Sequence, residues 1–446
     1  MAPHVALVSF TGFRVREEEM LELGMTLPGL KGRADAISRL PSLGLLTLAG
    51  MTPPAWTCSY HEQGVETDSL LERVLAEKPT LVAVSALTAS INDAYLFCGR
   101  IKQAGVFVVL GGLHATTRPQ EASRHCDAVV IGEGEPVWHQ LLADARSGEL
   151  KQSYRARLAF DLANAPIPRF DLLGSERRSR LTLQTQRGCP LACEFCGASR
   201  LLGPFREKPV AGIERELSEV ARLSGRHIVE LADDNTFAGN RDLDSFFETL
   251  AASGVRYFTE VDWRVGVRPE VVERLAGSGC VQVLVGVESL AHSYRGMGAK
   301  RAEPSVIMDA LSAIQQTGVA VNGCFVVGSD GETRKSIEEL GRFILESDLA
   351  DVQLTLQTPF PGTALYHRLD ASGRLLPDRD WSYYTLFDVT YRPQAMCPDE
   401  LQRAFVALVR RVFDEEASQR RSSIRRAVWR RHPRLGSCES ELCFDS

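Results

Sequence analysis

Short β-branched runs and longer amphipathic stretches alternate along most of this chain. In the first 150 residues the runs HVALVSF (4–10), TLVAVSAL (80–87), VFVVLGG (106–112) and DAVVIGEGE (127–135) are nearly all apolar and end in glycine or polar turns. Helix-like stretches such as INDAYLFCGRIKQAG (91–105) separate them. Strands that are apolar on both faces and joined through helices belong to parallel sheets covered on both sides. Residues 1–150 are therefore expected to form a doubly wound, Rossmann-like α/β domain, with its ligand crevice beyond the carboxyl ends of the strands.

Residues 151–180 lose the period, carry NAPIPRFDLL (164–173) and read as a linker. From 181 the alternation resumes, with strands expected at 181–187, 226–232, 256–262, 280–287, 318–327 and 351–357. Helices are expected between them at 209–224, 241–252, 268–277, 304–316 and 333–347. Six β-α units over 181–372 are too few for a closed eight-stranded barrel and predict a partial one, with its site at the strands' carboxyl ends. The strand pattern then stops, so 373–446 is expected to be a helical C-terminal region, with a helix at 398–417. After it comes RRSSIRRAVWRRHPR (420–434), with seven arginines. This segment reads first as a solvated helix face. Its other reading is a basic amphipathic helix, with Ile424, Val428 and Trp429 on one side, making peripheral contact with anionic membrane or a lipid-bearing substrate.

Composition narrows the classes. A chain of 446 residues, 44% hydrophobic and 24% charged, can bury the cores of two or three domains. A formal charge of −6 argues against nucleic acid as a partner. No apolar run approaches the roughly 20 residues that span a bilayer, and MAPHVALVSF reads as a first strand rather than a leader. The expected compartment is the cytoplasm, where thiols stay reduced and crowded cysteines point to metal rather than disulfides.

Three of the eleven cysteines are crowded in this way, in RGCPLACEFC (187–196), directly after the first predicted barrel strand. Cys189, Cys193 and Cys196 are spaced C-x3-C-x2-C. A structural zinc site takes four ligands, commonly as two pairs, whereas three thiolates suit an iron–sulfur cluster that leaves one iron open. The bland alternatives are a zinc loop completed by a distant Cys or His, or unrelated buried cysteines. Cys438 and Cys443 in the tail carry little information.

The spacing, the preceding Arg187-Gly188 and the aromatic Phe195 resemble the radical S-adenosylmethionine (SAM) enzymes over roughly 181–372. The resemblance implies a [4Fe–4S] cluster on Cys189, Cys193 and Cys196, with SAM chelating the open iron. Reductive cleavage of SAM would then yield a 5′-deoxyadenosyl radical able to take hydrogen from an unactivated carbon. At the strand ends, LADDNTF (231–237) offers Asp233, Asp234 and Asn235 to the SAM amino group, although the family's common glycine-glycine-glutamate version is absent. GVESL (286–290) offers Glu288 and Ser289, GMGAKR (296–301) offers Lys300 and Arg301 to the carboxylate, and CFVVGSDGET (324–333) brings Val326 near adenine. Helix capping, turns and solvated cations are the plain readings of the same residues.

One branch of that family carries a cobalamin-binding domain ahead of the barrel. Residues 1–150 resemble it through LPSLGLLTLAG (40–50), SALT (85–88), VVLGGLHAT (108–116) and VVIGEGE (129–135), in that order. The resemblance implies close approach of the macrocycle to Gly111, Gly112, Gly132 and Gly134, with Ser85 and Thr88 at its lower face or nucleotide tail. His114, Glu133 and Glu135 would border the cofactor. SYHEQG (59–64) is a near miss for the histidine-ligand loop of other cobalamin proteins, with Ser59 in place of aspartate. His61 therefore reads as an ordinary strand-end residue, and the cobalt would lack a protein histidine.

The implied function is a cobalamin-dependent radical SAM enzyme that methylates an unactivated carbon of a small-molecule or lipid substrate through the deoxyadenosyl radical and methylcobalamin. A flavodoxin or ferredoxin would be its electron donor. The alternatives are radical cyclisation, rearrangement or oxidation without methyl transfer and, more remotely, a non-enzymatic cobalamin or redox sensor.

Overall fold

The computed structural model describes residues 2–12, 14–27, 30, 40–64, 67–174, 180–197, 201, 203–223, 228–290, 295–296 and 300–435. Cys438 and Cys443 lie outside them.

The first sheet contains β1 (His4–Phe10), β2 (Thr57–Gln63), β3 (Leu81–Ala86), β4 (Phe107–Gly111), β5 (Ala128–Ile131) and β6 (Ser153–Arg155). Their order is β2-β1-β3-β4-β5-β6, all parallel. Alternate residues of β1 feed two cores: Ala6, Val8 and Phe10 face one helical layer, and Val5 and Leu7 face the other. Two strands escaped the hydrophobic pattern. β2 is a polar edge strand (TCSYHEQ), half-buried along its length, so it lacks the apolar run that marked its neighbours. β6 lies in the stretch read as a linker and pairs with β5 through only three residues. The order reverses between β1 and β3, which opens a crevice at their carboxyl ends.

The second sheet runs β14-β13-β12-β11-β10-β7, also parallel, in simple chain sequence. Its strands are β7 (Arg180–Leu183), β10 (Ile228–Leu231), β11 (Arg256–Asp262), β12 (Cys280–Glu288), β13 (Ala320–Val327) and β14 (Asp351–Leu356). This is the partial barrel, with helices such as Val210–Arg222 and Pro304–Gln316 outside it. The predicted strand 181–187 breaks early. Asp233 accepts hydrogen bonds from the Thr185 and Gln186 amides (2.8 and 3.0 Å), drawing the chain off the sheet. Gln186–Arg187 (β8) then pairs antiparallel with Arg206–Glu207 (β9), which starts the cysteine loop as a small hairpin.

The predicted helix 398–417 divides into Pro398–Val412 and Glu415–Trp429, with Asp414 capping the second through the Ala417 amide. The basic segment folds back on the barrel. Trp429 is 2% exposed, packs on Ala320 and Ala350, and donates from Nε1 to the Val281 carbonyl at 2.9 Å. Arg420 donates to the Leu345 and Ser347 carbonyls at the end of helix Arg334–Glu346. This corrects the membrane reading, because the apolar side that a lipid surface would need is already spent on the chain's own sheet. Among the described residues no helix is long and apolar enough to cross a membrane.

Candidate active site between two sheets

Cys189, Cys193 and Cys196, none of them in a disulfide, line one cavity of about 310 Å³ at the carboxyl ends of the barrel strands. Cys193 is buried, and burial pushes its thiol up to about 11. Cys189 is also raised, again chiefly by burial. Iron must therefore displace protons on binding. The loop is held at several points. The Glu194 amide donates to the Arg295 carbonyl (2.9 Å), and its carboxylate receives two bonds from Arg368 at 3.1 Å. Arg368 also reaches Asp330 at 2.6 Å, which Arg374 holds from the far side at 2.7 Å.

Across the cavity stand Asp234, Asn235, Glu288, Lys300 and Val326. Glu288 has a φ of +65°, a left-handed backbone that persists in a non-glycine residue only under firm support. Lys300 supplies part of that support, reaching Glu288 at 3.3 Å, while Trp263 Nε1 donates to the Lys300 carbonyl at 2.8 Å. A Cβ on Gly286 would lie 2.5 Å from Glu288 Oε1, so a larger residue there would push the ends of this pair aside. Burial opposes the Lys300 ammonium, but Glu288 and its other anionic neighbours hold it above its ordinary pKa.

Two groups there were not singled out from the sequence. Glu260 of β11 faces the cavity with its side chain accessible from it, and the desolvating barrel wall, with Glu230, Asp234 and Glu288 nearby, raises its carboxyl above the ordinary value. Asp262 lines it too, fixed by a two-pronged bond from Arg264 (2.8 Å each) and by Asn235 at 2.9 Å. The signal was available in RYFTEVD, where two carboxylates interrupt an otherwise apolar strand end. Burial, reinforced by Asp233, raises Asp234 to about 6.

A second cavity of about 610 Å³ opens beyond the first sheet's crevice. Ser85, Thr88, Gly112 and His114 line it from that side. Gly112 has a φ of +96° and an extended ψ, a conformation essentially reserved for glycine, and an added Cβ would sit 3.1 Å from Ser85 Oγ. The two cavities share a wall: Gly197, Gln353, Thr355, Phe360 and Leu386 line both.

Two family models match: a B12 binding domain over residues 32–142 and the radical SAM superfamily over 183–344. The chain belongs to the cobalamin-binding branch of the radical SAM superfamily. Bacteriochlorophyllide d C-12(1)-methyltransferase of Chlorobaculum tepidum is 27% identical, over 78% of this chain and 78% of its own. The hopanoid C-2 methylase of Rhodopseudomonas palustris is 25% identical, over 77% of this chain and 67% of its own. Among solved structures, the radical SAM methyltransferase TsrM from Kitasatospora setae has the same fold, with a TM-score of 0.66, 14% identity, and 94% and 90% of the two chains covered.

In this radical SAM protein the donor set fits a [4Fe–4S] cluster. Three cysteines outside any disulfide face one cavity, and carboxylates and an ammonium line that same cavity. Among the described residues no three His, Cys, Asp or Glu groups converge on one ion-sized point. They need not, because a cuboidal cluster bonds each thiolate to a different iron. The crevice fits cobalamin through its glycine approach and the two hydroxyls, Ser85 and Thr88.

Several expected site residues are engaged elsewhere. Asp233 is fully buried in bonds to Thr185, Gln186 and Thr236, so it shapes the strand ends instead of facing the cavity. Ser289 and Arg301 line neither cavity, and Arg301 points to solvent. Gly111, Gly132 and Gly134 likewise line neither, and a Cβ on Gly134 would meet Leu48 at 3.4 Å. Glu133 and Glu135 are struts to the barrel, since Arg187 bonds both at 2.6 and 2.7 Å and Arg206 joins Glu133. His114 does border the larger cavity, with its ring nitrogens 3.3 Å from the Thr88 hydroxyl and 3.5 Å from the Glu121 carboxylate. His61 bonds Glu77 at 3.2 Å, the ordinary strand residue it was expected to be.

Proposed function

We propose that this chain methylates an unactivated carbon of a small-molecule substrate, using a [4Fe–4S] cluster, SAM and cobalamin. The observation that supports this reading best is the shared wall of the two cavities, which puts a radical source and a methyl source on either side of one gap. Both curated relatives reported above are methylating enzymes, which supports methyl transfer over other outcomes. When bound, the cofactors supply hydrogen abstraction and the methyl group, and the organic chemistry is theirs.

The chain's residues bind, orient and exclude water. Cys189, Cys193 and Cys196 would hold the cluster and leave one iron for SAM. Lys300, braced by Glu288, would take the SAM carboxylate, Asp234, Asn235 and Glu260 would receive its amine, and Val326 would border its adenine. On the other side, Ser85 and Thr88 would hold the cobalamin, with the Thr88 hydroxyl oriented by His114, and Gly112 would leave room for the macrocycle. Phe360 and Leu386, on the shared wall, keep the gap apolar and dry. An electron carrier such as a flavodoxin or ferredoxin, in the reducing cytoplasm, delivers the electrons.

The test begins with anaerobic purification from cobalamin-supplied cells, where about four irons and one cobalamin per chain are expected. Reduced protein given SAM and substrate should form S-adenosylhomocysteine together with 5′-deoxyadenosine. Deoxyadenosine alone would favour radical chemistry without methyl transfer. Zinc in place of iron would refute both.

A further inference from the structure

The larger cavity has two ends of different character. One end, at Ser85, Thr88 and Gly112, belongs to the first sheet's crevice. The other is walled by Met20 and Gly24 of the helix Glu18–Thr26, by Val409 of the helix Pro398–Val412, and by Phe413 just beyond it. These elements are locked together. Asp388 accepts from the Arg16 and Glu17 amides at 3.0 and 2.7 Å, pinning the start of the first helix, and Glu19 pairs with Arg410 of the second.

We propose that this far end is the substrate pocket and that it takes a neutral, predominantly hydrocarbon molecule. The assignment rests on the methyl-transfer reading above, since the pocket opens onto the wall that both cavities share. No carboxylate or lysine lies among the described lining residues. The cation there, Arg14, is already matched, bonding Asp93 at 2.6 Å and the Gly64 carbonyl. Among the described residues, a substrate carboxylate or phosphate placed here would lose its hydration without gaining an uncommitted counter-ion. A hydrocarbon loses nothing and covers the half-buried Leu30, Leu386 and Phe387, which line the same cavity over a floor of buried Met20, Val409 and Phe413. Gln353 and Thr355, on the shared wall, are neutral and suit a single uncharged polar group at the reacting end.

Gly24 provides a clean probe. A Cβ there meets nothing within 4 Å, so Gly24→Trp can grow into the pocket without a backbone clash and improves the helix. The experiment is equilibrium dialysis of cobalamin-loaded protein against Nile red, a neutral apolar dye, and against protoporphyrin IX, a dicarboxylate. The dye should bind at about one site per chain, and Gly24→Trp should weaken it by about tenfold or more while iron and cobalamin contents stay the same. Unchanged dye affinity in the variant would overturn the proposal. Loss of cobalamin from the variant would overturn it as well, by giving this end to the cofactor. Protoporphyrin IX binding as tightly as the dye and weakened by the same substitution would reverse the charge class. The methyl-transfer reading fails separately, on the iron and cobalamin contents and SAM products of the wild-type protein.

Discussion

Glu332 carries a carboxyl into the turn after β13, where it accepts from the Gly328 and Ser329 amides. Burial outweighs those bonds and raises its pKa from 4.5 to about 7. The folded state therefore holds a proton that the unfolded chain releases as pH rises through that window, so this group's contribution to stability falls from about pH 4.5 to about pH 7. Glu332→Gln keeps an acceptor for the amides and removes the titration. Urea midpoints measured against pH should show the variant gaining on the wild type across the window, by about 3 kcal/mol at its upper end. Parallel curves would mean that the carboxyl is not buried as described. Gly328, which this carboxyl positions, is also held through its carbonyl by Tyr391, so the turn is tied from both sides.

At the scale of elements, ion pairs and one aromatic join units that the sequence left separate. Arg187 leaves the cysteine hairpin and bonds Glu133 and Glu135 of the first sheet's last turn, all three largely buried. Replacing it with methionine strands Glu135, while Glu133 keeps Arg206, at a cost of about 3–5 kcal/mol. Urea unfolding reads that cost, and a change below about 1 kcal/mol would rank the contact with exposed surface pairs. Trp429 pins the last helix to β12 and β13, with its ring buried and its Nε1–H satisfied. Trp429→Ala should cost about 3–5 kcal/mol, whereas a solvated or membrane-facing helix would lose almost nothing.

For the whole molecule, the two cofactor sites rest on different sheets and should fail independently. Cys193→Ala should lose iron and keep cobalamin. Gly112→Ala forces a side chain into a glycine-only conformation beside Ser85 and should do the reverse. Metal analysis and the cobalamin absorption of each purified variant decide it. Joint loss of both cofactors in either variant would show that the sites form as one unit.

The sequence alone was enough for the local and periodic features. Apolar runs marked all strands of the two six-stranded sheets but β2 and β6, since a polar edge strand and a three-residue pairing carry no period-2 signal. The cysteine spacing pointed to one loop as the cluster's place because the expected ligands lie within eight residues of chain. Tertiary structure decided which polar residues at the strand ends face the cavities. Asp233 and Asp234 are adjacent, yet one is consumed by the Thr185 and Gln186 amides and the other lines the cysteine cavity. Glu133 and Glu135 resemble cofactor neighbours until Arg187, more than fifty residues on, claims them. A motif names the residues available at a strand end, but a buried charge goes to whichever partner the packed chain brings nearest, and that partner is remote in sequence.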